Sequence, residues 1–138
     1  MTKKKDSNPR SEGMFIIDSF GWIEYFSEGK SAGEYAKYIE NANPQNYISP
    51  TIVLYEVYKK ILSVYNEEKA MEAAAHIKYA TRLIDLSDNL AISAAETSLN
   101  QKLPMADAII LTTAKNYNAQ VITSDSHFKG LDSVIYIQ

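Results

Sequence analysis

Short, continuously apolar runs alternate along the chain with longer segments of helical periodicity, and this alternation constrains the fold more than any other feature. Five such runs occur, at residues 15–17, 47–48, 83–84, 121–122 and 134–137. Runs that are apolar throughout suit strands that are buried on both faces of a parallel sheet. The pattern therefore predicts five short parallel strands separated by helices.

The segments between these runs carry helix signals. Ser49 is a good N-cap and Pro50 suits the first helical position, so a helix is predicted from there to about Tyr65. Ser87 can cap a later helix, and Pro104 can open another. The predicted helices cover residues 31–41, 50–65, 67–80, 88–100 and 104–118. Strands alternating with helices indicate an α/β domain with helices on both faces of the sheet.

Length and composition fit one globular domain. The chain has 138 residues, of which 46% are hydrophobic, and its first thirteen residues are polar and without period. We therefore expect residues 1–13 to be a disordered leader or a non-native remnant, and residues 14–138 to form the domain. No apolar run approaches the roughly 20 residues needed to cross a bilayer, and no secretory signal follows the lysine-rich start. A cytoplasmic protein without membrane contact is the expectation.

Charge and the lack of cysteine narrow the chemistry. The formal net charge is −3, and because residues 1–13 contribute +2, the remaining residues carry −5. Such a balance argues against passive nucleic-acid binding, which relies on a basic face, but it is compatible with carboxylates neutralised by metal in a nuclease. Since the chain contains no cysteine, any metal would be held through oxygen or by His76 and His127.

Four acidic residues fall at informative positions. Asp18 directly follows the first predicted strand and Asp125 follows the fourth, at the sheet edge where open α/β sheets bind ligands. Glu56 and Asp107 lie on the apolar faces of their predicted helices. Burying an unpaired carboxylate costs several kcal/mol unless a cation, hydrogen bonds or a raised pKa compensates. The pattern therefore indicates acids that converge around a cation.

Each acid also has an ordinary structural interpretation. Asp18 and Asp125 could act as turn or cap residues. Asp107 could complement the positive end of its helix, an effect of about 0.3 to 1 kcal/mol. Glu56 could form a salt bridge with one of the lysines that follow it. Four acids at one sheet edge are harder to explain in these ways, because without metal the cluster would repel itself.

The segments around these acids resemble the motifs of the PIN-domain nucleases, and within them the short VapC-like toxins of toxin–antitoxin pairs. The resemblance covers residues 14–138 and rests on FIIDS followed by WI, SPT leading to Glu56, LP and ADA around Asp107, TSDS with Phe128, and the ending VIYI. Gly21 departs from the family pattern. Because glycine disfavours a helix interior by up to ~1 kcal/mol, we expect a loosened turn there.

The resemblance implies a three-layer PIN-like α/β/α domain with a central parallel sheet of about five strands. It also implies a metal-dependent endoribonuclease that hydrolyses RNA phosphodiester bonds through metal-activated water, using Mg²⁺ or Mn²⁺. A homodimer, and an antitoxin protein that covers the acidic groove, are implied as partners. Hard oxygen ligands suit both ions.

Roles for the individual residues follow as hypotheses. Asp18 and Asp107 are the expected principal metal ligands, with Glu56 and Asp125 completing the site directly or through water. Glu56 could also act as a general base. In the PIN pattern, the hydroxyl of Thr123 helps to orient the last acid or its bound water.

Other polar and aromatic residues are expected to be structural or to contact partners. Ser19 is a weaker candidate for the same orienting role, and we expect it to be a strand-end or helix-cap hydroxyl. Neither His76 nor His127 is expected to be catalytic, since their separation gives no metal-binding spacing, and a surface role is expected for His127. Most of the ten tyrosines are interpreted as packing, and helical tyrosines that flank the groove as interface residues: Tyr35, Tyr38, Tyr55, Tyr58 and Tyr65. Phosphate contacts could come from four lysines: Lys59, Lys60, Lys102 and Lys129.

Two alternative functions stay open. RNA processing without an antitoxin would use the same chemistry, and no residue separates it from a toxin, whereas a neighbouring small gene would. A non-catalytic PIN-like interaction module is the other alternative. The four acids speak against the module, because a binding scaffold has no need to bury charges that repel one another.

Overall fold

The computed structural model describes residues 13–138, which contain five strands and six α-helices. The strands are β1 (Met14–Ile17), β2 (Ile48–Pro50), β3 (Arg82–Ile84), β4 (Ala119–Thr123) and β5 (Val134–Tyr136). The helices are α1 (Ser19–Ser27), α2 (Ala32–Ile39), α3 (Thr51–Val64), α4 (Glu67–Ala80), α5 (Asp88–Gln101) and α6 (Met105–Asn116). The predicted strands and helices are all present, with bounds that differ by a few residues. The predicted leader lies outside the described residues, apart from Gly13.

The strands are all parallel, as predicted. β1 pairs with β4, β4 with β5, and β2 with β3. An isolated parallel bridge between Phe15 and Tyr47 joins β1 to the segment that leads into β2. The strands thus form a three-stranded sheet, β1–β4–β5, and a two-stranded sheet, β2–β3, rather than one continuous sheet of five strands. The bridge gives the overall order β3–β2–β1–β4–β5, so the direction of winding reverses between β1 and β4. In open parallel sheets, such a reversal creates a crevice beyond the carboxyl ends of the two strands concerned.

The helices cover both faces of the sheet. Because crossovers between parallel strands are right-handed, the connections through α1 to α4 lie on one face and the connection through α5 and α6 lies on the other. This is the expected α/β/α arrangement. The largest fully buried side chains include Trp22, Tyr35 and Phe128, and the strand residues Ile16 and Ile122 are also fully buried. Within residues 13–138, no helix has both the length and the hydropathy needed to cross a bilayer.

Helix α1 is not predicted by the sequence pattern, and the loosened turn expected at Gly21 is wrong. The helix runs without interruption through this residue. A Cβ atom at Gly21 would lie 2.3 Å from Cε1 of Tyr35 and 2.9 Å from Oδ1 of Asp18. Real Cβ contacts are essentially never that short, so glycine allows α1 to approach α2 closely. Tertiary packing therefore outweighs the low helix propensity of glycine.

The start of α3 also differs from its prediction. Ser49 lies in β2, Pro50 occupies the N-cap position, and no side chain caps the helix. Among the described residues, the buried hydroxyl of Ser49 has no hydrogen-bond partner. The predicted cap of α5 is confirmed, since the hydroxyl of Ser87 accepts a hydrogen bond from the backbone N–H of Leu90 at 3.1 Å.

Replacing Gly21 by alanine is expected to destabilise the protein by about 1 to 3 kcal/mol, because the added methyl group would overlap the ring of Tyr35. Urea unfolding measures the change. Gly33→Ala is the matched control, since a Cβ at Gly33 in α2 meets no atom within 4 Å and alanine favours the helix. Equal unfolding midpoints for the two variants would contradict the packing argument.

Candidate active site

The four acids identified in the sequence line one groove at the carboxyl edge of the sheet. The groove has a volume of about 550 Å³, and its walls come from α1, α3 and α6. Asp18 and Asp125 reach it because they follow the adjacent strands β1 and β4, and Glu56 and Asp107 reach it from α3 and α6. The structure thus brings together acids that are far apart along the chain, at the winding reversal of the sheet.

Asp18 is the most buried of the four acids, with only 3% of its surface exposed. Its side chain caps α1, because Oδ1 accepts a hydrogen bond from the backbone N–H of Gly21 at 2.8 Å. Burial raises the pKa of Asp18 to about 7, although hydrogen bonds from Thr123 and Gly21 oppose the shift. The cap interpretation of Asp18 is thus correct, and it is compatible with a place in the groove.

Thr123 connects two of the acids. Its hydroxyl donates a hydrogen bond to Oδ2 of Asp18 at 2.5 Å and accepts one from the backbone N–H of Asp125 at 2.9 Å. Thr123 is itself fully buried at the end of β4. Its side chain therefore orients the first acid directly and the last acid through the backbone.

Ser19 binds Glu56 across the groove. The Ser19 hydroxyl donates a hydrogen bond to Oε1 of Glu56 at 2.6 Å, and it is Asp18 that caps α1. Ser19 therefore lies close to the end of β1, as expected of a strand-end hydroxyl, but it does not cap the helix. The alternative for Glu56, a salt bridge with a lysine, is absent from the part of the chain that the structure describes.

His127 contacts two of the acids, although the sequence analysis assigned it to the surface. Its Nδ1 lies 2.9 Å from Oδ2 of Asp107 and 3.2 Å from Oδ1 of Asp125, while half of its side chain remains exposed. Burial and the charge of Asp125 raise the pKa of Asp107, and His127 acts in the opposite direction. The only sequence signal for this role is its position two residues after Asp125.

Asp107 lies in the first turn of α6. The interpretation that Asp107 complements the positive end of its helix therefore fits this position. It is also compatible with a place in the groove.

Tyr35 binds the backbone next to the site but does not line the groove. Its side chain is fully buried, so it cannot be the interface residue that was expected. The Tyr35 hydroxyl accepts a hydrogen bond from the backbone N–H of Ser124 at 2.8 Å and lies 3.0 Å from the Ser124 hydroxyl. Burial, followed by the charge of Asp18, raises the pKa of Tyr35. By contrast, Tyr55 lines the groove and is 58% exposed.

Positive charge near the acids is sparse. Within residues 13–138, no lysine or arginine forms a salt bridge with any of the four acids. Lys59 and Lys60 line the groove, and the Lys59 ammonium lies 5.6 Å from the centre of the Tyr55 ring. Lys102 and Lys129 are not among the groove residues. Such a set of carboxylate oxygens, without a fixed cation, is suited to binding a hard divalent ion.

Comparisons with known proteins give a matching family model and similar solved structures. The family model of the PIN domain matches residues 15–134. The structure is similar to that of a toxin–antitoxin complex from Klebsiella pneumoniae, with a TM-score of 0.70, 26% identity, and coverage of 87% of this chain and 94% of that chain. It is also similar to VapBC2 from Rickettsia felis bound to a promoter DNA fragment, with a TM-score of 0.65, 18% identity, and coverage of 90% and 97%.

A third similar structure is VapC20 from Mycobacterium tuberculosis, described as a toxin that cleaves the sarcin-ricin loop. Its TM-score is 0.67, its identity is 16%, and the match covers 83% of this chain and 91% of that chain. At such identities the second and third similarities show the fold alone. No curated protein matched the chain in a sequence search.

Without metal, the protein is expected to lose stability as the pH rises, because Asp18 must ionise while buried. The folded-state pKa of about 7 exceeds the ordinary value of 3.8. The penalty for burying the charge is therefore absent below pH 3.8, grows between pH 3.8 and 7, and is complete above that. The limiting slope for one proton is about 1.4 kcal/mol per pH unit.

The measurement is urea unfolding in EDTA at pH 5 and pH 8, for the parent and for Asp18→Asn. We expect the free energy of unfolding to fall less in the variant, which cannot ionise at this position. If the fall between the two pH values is the same in both proteins, burial of Asp18 is not its cause.

Proposed function

Because this chain belongs to the PIN domain family, we propose that it is a metal-dependent endoribonuclease, and that it is the toxin of a toxin–antitoxin pair. One observation carries the enzymatic part: four carboxylates share a groove in which, among the described residues, no lysine or arginine is paired with them. The similarity to a toxin–antitoxin complex supports the rest.

The donor set fits Mg²⁺ or Mn²⁺. Both ions favour carboxylate oxygens, and Mg²⁺ is usually held by one or two carboxylates together with water and substrate phosphate. In this proposal Asp18 and Asp107 are the principal ligands, and Glu56 and Asp125 complete the site. Burial raises the pKa of Asp18 to about 7, and a bound divalent ion would favour the ionised form of this carboxyl group.

When bound, the ion would lower the pKa of a water molecule and stabilise charge on the phosphate. Glu56 is placed to accept a proton, because Ser19 binds its Oε1 and, among the described residues, its Oε2 has no hydrogen-bond partner. Thr123 is a positioning residue, since its hydroxyl holds Asp18.

The groove also carries groups that suit an RNA chain. Lys59 and Lys60 lie along its α3 wall, where their ammonium groups would contact phosphates. Phe20 and Tyr55 line the groove and are substantially exposed, so their rings would be available to stack on unpaired bases. We therefore propose that the substrate is a single-stranded or looped RNA. The enzyme would act in the cytoplasm.

An antitoxin segment would occupy the same groove. The groove combines carboxylates with the aromatic rings of Phe20 and Tyr55, and this combination suits a peptide that carries a basic side chain together with apolar ones.

A homodimer would use another surface, the apolar groove of about 450 Å³ between α5 and α6. Leu99 and Met105 border that groove and are 82% and 69% exposed, an unusual arrangement unless a partner covers them.

Asp107→Asn is expected to reduce cleavage of structured RNA by at least about 100-fold, because it removes a charge that holds the ion. Chelator should abolish cleavage by the parent, and Mg²⁺ or Mn²⁺ should restore it. Asp85→Asn is the matched control: Asp85 is exposed and also follows a strand, β3, but lies outside the groove. If Asp107→Asn cleaves as fast as the parent, or if chelator has no effect, the metal-site proposal fails.

The alternatives make different predictions for these experiments. A non-catalytic module would cleave no RNA with either ion. An RNA-processing enzyme would also cleave RNA. Its expression, however, would not cause a growth arrest that is relieved by the product of a neighbouring small gene. A toxin should show both cleavage and relief.

The dimer is tested by light scattering after size exclusion. The parent should elute with about twice the mass of one 15.5 kDa chain, and Leu99→Glu should shift towards the monomer, because it places a charge in an apolar interface. Tyr79→Glu is the control, since Tyr79 is 85% exposed on α4 and lies outside this groove. A monomeric parent would contradict the dimer, and a dimeric Leu99→Glu would contradict this surface.

A further inference from the structure

His127 places a nitrogen donor among the proposed oxygen ligands. One potential ligand atom from each of Asp107, Asp125 and His127 lies within 4.8 Å of the other two. Asp107 Oδ2 and Asp125 Oδ1 are 2.9 Å and 3.2 Å from Nδ1 of the imidazole. Nδ1 of the imidazole therefore lies beside potential ligand atoms from two of the four acids.

These separations correspond to those of neighbouring ligands around one ion. Donors at about 2.1 Å from an octahedral ion, and at right angles to each other, lie roughly 3.0 Å apart. The two distances from Nδ1 of His127, 2.9 Å and 3.2 Å, lie on either side of this value. The two distances therefore match those expected for ligands of one ion, and the separation between the two carboxylate oxygens is at most 4.8 Å.

The backbone holds His127 in this position. Its N–H donates a hydrogen bond to Oδ1 of Asp125 at 2.9 Å, within the short 3-10 helix Ser126–Phe128. The next residue, Phe128, is fully buried and anchors that turn in the core. The imidazole is half exposed, which leaves the far side of the ring in contact with water.

We propose that His127 is a metal ligand beside Asp107 and Asp125, and that it makes the site prefer Mn²⁺ over Mg²⁺. This inference rests on the proposed metal-dependent function. Mg²⁺ strongly favours oxygen ligands, whereas transition-metal ions accept imidazole nitrogen as well. Replacing one oxygen ligand by nitrogen therefore disfavours Mg²⁺ relative to Mn²⁺.

The competing interpretation is that His127 is only an ion-pair partner of the two acids. In that case a metal ion must displace the imidazole, so removing His127 would leave the affinity for both ions unchanged or would strengthen it. A ligand role predicts the opposite sign, with a loss confined mainly to Mn²⁺. The direction of the change therefore separates the two roles.

The first experiment is calorimetric titration of the full chain with MnCl₂ and with MgCl₂. For His127→Ala we expect the Kd for Mn²⁺ to rise at least about 10-fold, and the Kd for Mg²⁺ to change less than about twofold. Ser126→Ala is the matched control, because Ser126 is an exposed neighbour in the same short helix. Unchanged or tighter Mn²⁺ binding by His127→Ala would overturn the proposal.

The second experiment detects the metal ligand directly in the parent protein. Pulsed electron paramagnetic resonance of the Mn²⁺-loaded parent should show modulation from a directly bound imidazole nitrogen, which Ser126→Ala should keep and His127→Ala should lose. A parent spectrum without that modulation overturns the ligand role. Asp107→Asn tests the proposed metal site separately from the ligand role of His127. Unchanged Mn²⁺ binding by that variant would mean that the proposed metal site itself is wrong.

Discussion

The buried carboxylate of Asp18 is the interaction on which the rest of the groove depends. One oxygen accepts the backbone N–H of Gly21 and the other accepts the hydroxyl of Thr123, so a single side chain joins the start of α1 to the end of β4. Hydrogen bonds alone do not offset its burial, because its pKa is still raised to about 7. The fold therefore buries a carboxyl group to which its own described side chains offer no cationic partner.

Close packing behind this carboxylate keeps it in place. Gly21 lets the ring of Tyr35 approach α1, and the hydroxyl of Tyr35 in turn holds the backbone of Ser124. Three separate elements, α1, α2 and the end of β4, are thus fixed relative to one another within a few ångströms of Asp18. Such support allows acids to remain close together, since the surrounding contacts resist the movement that would separate them.

The other acids are held more loosely and meet the solvent. Asp107 and Asp125 are 17% and 31% exposed and share the imidazole of His127, while Glu56 is bound by Ser19. The groove therefore has a buried, rigid side around Asp18 and an open side around His127. Proteins commonly break the rules of stable packing at functional sites, and a cluster of like charges is what the proposed metal site would require.

The sequence alone determined the order of strands and helices and placed Asp18 and Asp125 at the same sheet edge, because apolar runs and chain order encode parallel strands locally. It also identified Glu56 and Asp107 from helical periodicity. Only the tertiary structure decided that α1 passes through Gly21, that Thr123 binds Asp18 across 105 residues, and that His127 meets Asp107. These contacts depend on how distant segments pack, and no local pattern of residue types specifies them.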